Sequence, residues 1–288
     1  MAVKTTFTIR PMTGNDLDQA LRLSLAEGWN QNVTDWKFLL ENPDNICIVA
    51  EKENRIAGTA TALIHSGKIA WIGMVLVDKA LRGMGAGKML MSDIITRLGN
   101  TESVKLDATL AGQPLYKSLG FVDENRIFRM TATQLKSNDF QYTGETPQKL
   151  TRERLQTIID HDSTIFGAGR AYLLKHLLQK YPEKAFFYPG NIDGWGYILG
   201  RDGSRFNYIG PVCASSTGIA RDLISAAIRS LVNQPVALDI PADKTDLIRW
   251  LEFAGFVKQR EFARMYLKEN PYPGKIEYQY LISGPEFG

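Results

Sequence analysis

The sequence predicts an α/β protein of two tandem domains, each a mixed, mostly antiparallel α+β sheet flanked by helices. Three observations lead there. Short apolar runs that read as strands alternate with amphipathic stretches of helical period through both halves of the chain. A glycine-rich loop, Arg82-Gly83-Met84-Gly85-Ala86-Gly87, joins the apolar strand Trp71-Ile72-Gly73-Met74-Val75 to a helix. The second half repeats the first in degraded form. At 288 residues the chain is long enough for two cores of about 100 to 150 residues each. The expected boundaries are a first domain at 1–136, a polar linker at 137–147 containing Gly144 and Pro147, and a second domain at 148–288.

In chain order, Thr8-Ile9-Arg10-Pro11-Met12 reads as a first strand, and Asp16 opens an apolar-periodic helix. Cys47–Glu51 and Ile56–Ile64 read as a β-hairpin around the polar turn Glu53-Asn54-Arg55. Then come the strand, loop and helix of 71–91, the short strand Val104–Ala108, and a helix end with its return strand at Leu115-Tyr116-Lys117-Ser118-Leu119-Gly120-Phe121-Val122. In the second half, Ala185–Tyr188 and Gly194–Tyr197 read as the core faces of a hairpin.

The loop is the strongest chemical signal. A strand that feeds such a loop into a helix leaves several backbone N–H groups unpaired and aimed at one spot, where the helix dipole adds partial positive charge. That arrangement suits a pyrophosphate. The dinucleotide pattern G-x-G-x-x-G fails, because Lys88 or Leu90 stands where its third glycine would be. The P-loop pattern fails as well: Arg82 stands where its first glycine belongs, and Met89 replaces the Ser or Thr that would hold magnesium.

What fits is [RQ]-x-x-G-x-[GA], met by Arg82, Gly85 and Gly87. With the flanking strands and the Tyr-x-x-x-Gly-Phe pattern of Tyr116, Gly120 and Phe121, the first half resembles the GNAT superfamily of acetyl-CoA-dependent N-acyltransferases over about 130 residues. The resemblance narrows to a bacterial subgroup of tandem GNAT proteins with a divergent carboxy-terminal domain, through Ala26–Asn30, Leu106–Thr109 and Ile282–Gly288. Phe166–Arg170 resembles a recurrent segment at the start of that second domain, except that Gly169 stands where an acid is expected.

The resemblance implies that acetyl-CoA lies in a cleft between two splayed strands. Its pantetheine arm would pair with Val75-Leu76-Val77, and its pyrophosphate would sit on Arg82, Gly83, Met84, Gly85, Ala86, Gly87 and Lys88. A backbone N–H on that strand would polarise the thioester carbonyl as an amine attacks. Tyr116 is where the family keeps the acid that protonates the leaving sulfur. Some relatives carry a glutamate base on the strand corresponding to 71–75, but here that strand holds no ionisable group. Glu27 and Asp107 are the base candidates, beside relay through water or an acceptor amine that arrives partly neutral. Asp239 occupies the place of Asp107 in the second copy, which favours a structural role for both.

The repeat shows which half should carry the chemistry. Trp71–Val75 lines up with Tyr208–Val212 at an offset of 137, Val104–Asp107 with Val236–Asp239 at 132, and Gly120–Val122 with Gly255–Val257 at 135. Phe128-Arg129-Met130 answers Phe262-Ala263-Arg264-Met265 with one residue inserted. The second copy has Cys213–Arg221 in place of the glycine loop and Leu251 in place of Tyr116. It is expected to be degenerate, a structural or acceptor-shaping domain, leaving one acetyl-CoA site per chain.

Composition adds exclusions. A net charge of +3 without clustering argues against nucleic acid. Cys47 and Cys213 have no metal-like spacing and read as buried free thiols; His65, His161 and His176 read as surface or satisfied histidines, so no metal is expected. No basic start precedes an apolar segment and no run of about 18 apolar residues occurs, so the chain is expected to be cytoplasmic and off the membrane. The expected partners are acetyl-CoA and an amine-bearing small molecule, with the chain a monomer or homodimer. The competing readings are a non-catalytic acyl-CoA-binding sensor, and an acetyltransferase acting on protein lysines or N-termini.

Overall fold

The computed structural model describes residues 7–135, 140–189, 194–231 and 233–288. The first repeat runs β1 (Thr8–Pro11), α1 (Leu17–Ala26), α2 (Val33–Glu41), β2 (Ile46–Lys52), β3 (Arg55–His65), β4 (Ile69–Val77), α3 (Ala86–Leu98), β5 (Ser103–Thr109), α4 (Gln113–Ser118) and β6 (Phe121–Ala132). The second runs β7 (Gln148–Lys149), α5 (Arg152–Phe166), α6 (Ala171–Lys180), β8 (Phe186–Tyr188), β9 (Gly196–Arg201), β10 (Asn207–Ala214), α7 (Thr217–Arg229), β11 (Val236–Pro241), α8 (Thr245–Phe253), β12 (Val257–Leu267) and β13 (Gln279–Leu281). Among the described residues no helix is long and apolar enough to cross a membrane.

The two repeats share one sheet of 13 strands, ordered β1-β2-β3-β4-β5-β12-β6-β11-β10-β9-β8-β7, with β13 beside β10. The middle of that order shows an exchange: β12 of the second repeat lies against β5 of the first, and β6 of the first lies against β11 of the second. Buried ion pairs follow the exchange. Arg264 on β12 grips Asp107 on β5 with two hydrogen bonds of 2.9 Å each, and Arg129 on β6 grips Asp239 on β11 at 2.8 and 2.6 Å. Each repeat's arginine thus neutralises the other repeat's aspartate, and the two halves are bound as one body.

Residues 137–139 of the expected linker lie outside the described residues. From 140 onward the segment packs into the second core: Phe140 is fully buried edge-on to Trp250, and Asp222 on α7 accepts the N–H groups of Thr143 and Gly144. The expected hairpin of the second half is present as β8 on β9, with Phe186 opposite Ile198. Cys213 is buried and Cys47 partly so, both free thiols. Arg170 is buried against Asp162, held by two hydrogen bonds of 2.9 Å.

The segment 282–288 returns from the second repeat to the first. Trp71 donates its indole N–H to Pro285 O at 3.0 Å, and Arg170 donates to Gly288 O at 3.1 Å. His65, only 2% exposed, lies 3.1 Å from Phe287 O, so its neutral ring must donate from Nε2. Burial, reinforced by Arg170, pushes the His65 pKa down to about 3. An unfolded histidine takes up its proton near pH 6.5, so between these values the unfolded chain binds more protons. Stability present above pH 6.5 is therefore lost as the pH falls toward 3, by up to about 1.4 kcal/mol per pH unit from this group. Urea unfolding at pH 7, 6, 5 and 4 should show this slope in the wild type and a shallower one in His65→Gln.

Candidate active site

The cleft originates in one irregularity of β4. Thr59 pairs with Leu76 and Thr61 with Gly73, so Met74 and Val75 together oppose Ala60 in a β-bulge. Met74 has φ of 51°, and the hydroxyls of Thr59 and Thr61 donate to Met74 O at 2.7 Å and Gly73 O at 3.1 Å. The extra residue bends β4 away from β5. The parallel ladder between them covers only Ile69–Ile72 against Ser103–Leu106 and then stops. Beyond Ile72 the edge of β4 at Val75, Leu76 and Val77 faces a cleft instead of a strand.

The glycine loop lies at the mouth of that cleft. Gly83 and Gly85 have φ of 78° and 92°, with nothing within 4 Å of where a Cβ would stand, so glycine is needed there for conformation, not for room. Gly85 caps α3, whose first helical bond runs from Met89 N–H to Gly85 O at 3.0 Å. The N–H groups just before Met89 consequently point out of the helix end, the arrangement that binds phosphate.

A cavity of about 1010 Å³ joins these parts. Its walls include Val75, Leu76 and Val77, the loop residues Arg82, Gly83, Gly85, Ala86, Gly87 and Lys88, Tyr116 of α4, and Glu27. Met84 does not line it and is 47% exposed. Glu27 is turned toward the loop, paired with Arg82 at 2.5 Å and Lys79 at 3.7 Å. Tyr116 is 9% exposed, and burial pushes its phenol up to about 12, which keeps it protonated at neutral pH. Lys258 to Glu261 of β12 complete the wall, a contribution of the second repeat that sequence reasoning missed.

A second, smaller pocket of about 60 Å³ continues inward past Trp29, Val75, Thr109, Tyr116 and Arg260, which line both spaces. Asp107 lines it too, but its carboxylate is fully buried and held by Arg264; burial raises its pKa while Arg264 opposes the rise. The floor includes Pro285 and Glu286. At Gly73 a Cβ would lie 2.8 Å from Glu286 Cα, so only glycine lets the returning segment seat against β4. The loop between α1 and α2 forms another wall and is pinned by the second repeat. Asn30 accepts the N–H groups of Arg205 and Phe206 and donates to Phe206 O at 3.0 Å.

Comparison with known proteins agrees with this geometry. Residues 14–121 match a model described as the acetyltransferase (GNAT) family, and residues 158–281 match one described as an acetyltransferase (GNAT) domain. The chain is 30% identical over 201 residues to YitH of Bacillus subtilis (strain 168), an uncharacterised N-acetyltransferase, covering 68% of each protein. The chain belongs to the GNAT acetyltransferase family and carries two such domains in tandem. Its fold is also that of an acetyltransferase-like protein from Pyrococcus horikoshii, with a TM-score of 0.80 at 20% identity over 100% of this chain and 98% of that one. A tandem GNAT protein from the clavulanic acid biosynthesis pathway superposes with a TM-score of 0.64 at 11% identity, covering 91% and 98%.

Within this tandem GNAT chain the described residues of the second domain lack the glycine loop and the open strand edge of the first. Ser216 caps α7 directly after β10, where the first domain has the glycine loop. The helix is seated on the sheet: a Cβ on Gly196 would meet Leu223 at 2.8 Å and Ile219 at 2.9 Å. The parallel pair β10 and β11 separates after Ile209 and Leu238, as β4 and β5 do, but here β13 fills the gap by pairing with β10 at Val212 and Cys213. Leu251 stands fully buried in α8 in the place of Tyr116.

Proposed function

We propose that the first domain transfers an acetyl group from acetyl-CoA to the primary amine of a small molecule by direct attack, and that the second domain holds no cofactor and closes the acceptor side. One observation carries this reading: a single cavity joins the glycine loop, the free edge of β4 and Tyr116, and its inner end is walled by the other domain. The open space above Gly83 and Gly85 and the forward-facing N–H groups of α3 suit a pyrophosphate. Val75, Leu76 and Val77 would hold the pantetheine arm, with a β4 N–H facing the thioester oxygen. Tyr116 would give its proton to the departing sulfur. Lys88 and Arg82 would add positive charge at the loop, Arg82 after leaving Glu27.

Glu27 is read here as a partner of the loop cations, and Asp107 as a structural anion, so neither serves as the base. The enclosed inner pocket favours a small acceptor over a protein lysine, because a peptide would need an open groove. The test is thiol release from acetyl-CoA in the presence of small primary amines, alongside lysine-containing and free N-terminal peptides. The reading expects thiol with at least one small amine and none above background with peptides. Cofactor binding without thiol from any amine would sink it in favour of a sensor.

A further inference from the structure

The second domain places one unpaired cation at the inner end of the cavity. Arg260 lies on β12 just past a β-bulge in which Gln259 is the extra residue: Lys258 opposes Met130 of β6, and Arg260 opposes Arg129. From there side chains alternate, so Arg260, Phe262 and Arg264 share one face of the strand. Phe262 lines the inner pocket from that face, and Arg264 reaches Asp107 across it. Arg260 itself is half-buried and lines both the large cavity and the inner pocket. It makes no hydrogen bond or ion pair among the described residues, and its guanidinium nitrogens keep accessible surface.

The other charged residues of the inner pocket are already answered. Arg129 is committed to Asp239 and Asp107 to Arg264. The Glu286 carboxylate is paired with Arg201 and lies against Gly284, with Oε2 buried, and Asp35 shares Arg201 at 2.9 Å. Around Arg260 the balance is positive. The charges that act on it most strongly are Arg129, Asp239, Glu27 and Arg205. The first two cancel as a bonded pair, and Glu27 is held by Arg82 and Lys79. Arg205 donates to Gly28 O at 3.1 Å and has no acidic partner among the described residues. Burial, and after it the like charge of Arg129, hold the Arg260 pKa below the ordinary guanidinium value, although the group stays a cation at neutral pH. A half-buried guanidinium with none of its fork of donors used is matched by a carboxylate arriving from outside.

Its position separates such an anion from the phosphates of the cofactor. None of the loop residues from Arg82 to Lys88 lines the inner pocket, whereas Val75, Thr109 and Tyr116 line it together with Arg260. An acceptor with its carboxylate on Arg260 can present its amine toward Tyr116 and the β4 edge. Resting on the function proposed above, we infer that Arg260 binds the carboxylate of a small amino-carboxylate acceptor and sets the specificity of the transfer for amines that carry an anion. The second domain, which holds no cofactor in that reading, then selects the acceptor.

The experiment measures thiol release from acetyl-CoA with glycine, β-alanine and 4-aminobutanoate, the carboxamide of each, 2-aminoethylphosphonate, ethylamine and 1,4-diaminobutane. Wild type, Arg260→Met and Arg260→Lys are compared, with acetyl-CoA affinity read by calorimetry. In the wild type the best amino carboxylate should exceed its own carboxamide by about tenfold or more in kcat/KM. Arg260→Met should lose about tenfold or more on that carboxylate, chiefly through KM, while its kcat/KM on the carboxamide stays within about threefold and its acetyl-CoA affinity within about twofold. Arg260→Lys should keep part of the preference, having the charge without the fork. The wild-type comparison needs no variant, so it tests the proposal even where a substitution fails to fold. Carboxamides, ethylamine or the diamine used as well as the amino carboxylates overturn the inference. So does Arg260→Met that keeps the preference, or that loses acetyl-CoA affinity instead, which would give Arg260 to a cofactor phosphate. A preference for the phosphonate over every carboxylate overturns the carboxylate assignment. Wild type that acetylates uncharged amines alone overturns this inference and leaves the function reading standing; wild type that acetylates no amine removes both.

Discussion

Arg129→Met is expected to lower the stability of the whole protein by about 3–5 kcal/mol, and Asp239→Leu by a similar amount. Both side chains are buried, Arg129 at 5% exposure and Asp239 at 0%, so removing either leaves an uncompensated charge where water cannot reach it. Tyr208 donates to Asp239 at 3.0 Å and offers only a neutral hydrogen bond in place of the guanidinium. The double variant should recover most of the loss, because a buried pair replaced by apolar groups is often neutral or stabilising. Urea unfolding of the two single variants and the double variant measures the cycle. Because the pair crosses between repeats, the loss should appear as one cooperative transition in which both halves unfold together. A separate early transition confined to one half would show that the exchange of β6 and β12 does not bind the domains.

Tyr116→Phe is expected to reduce kcat for acetyl transfer by about 100-fold or more, while acetyl-CoA affinity stays within twofold. The phenol lies in the wall shared by the two pockets and makes an edge-to-face contact with Phe121 at 6.1 Å, which phenylalanine keeps. Only the proton is lost. Burial holds the Tyr116 pKa at about 12, so the wild-type residue is a donor across the range in which enzyme assays run. An amine that reacts through a leaving thiolate needing no acid would show no change. A stopped-flow measurement of thiol release at saturating acetyl-CoA separates this step from binding.

Much of the first domain was legible because its signals are local. Gly83 and Gly85 stand at positive φ where the loop pattern requires it, and the run from Trp71 through the helix at 86–98 folds as its spacing predicts. The degenerate second copy was legible for the same reason, since the loss of the loop glycines and of Tyr116 is visible residue by residue. The strand exchange was not. Both copies carry the same aspartate and the same arginine, so pairing within a repeat would satisfy them as well as pairing across. Periodicity cannot tell which β6 or β12 edge a strand will choose. Neither could the sequence assign Glu286 a place at β4, because residues 282–288 have no period and their contacts lie more than 200 residues away at His65 and Trp71. The β4 bulge was hidden as well: Met74 is not a residue type that announces a left-handed φ.

The proposed function requires this tandem protein to have one cofactor site, built by the first domain and closed by the second. Calorimetric titration with acetyl-CoA tests it most directly. Wild type should bind one equivalent per chain, and Gly85→Ala should weaken that binding at least tenfold, since forcing a side chain into φ of 92° strains the loop by about 1–3 kcal/mol. Two equivalents per chain, or one equivalent that Gly85→Ala leaves untouched, would contradict it.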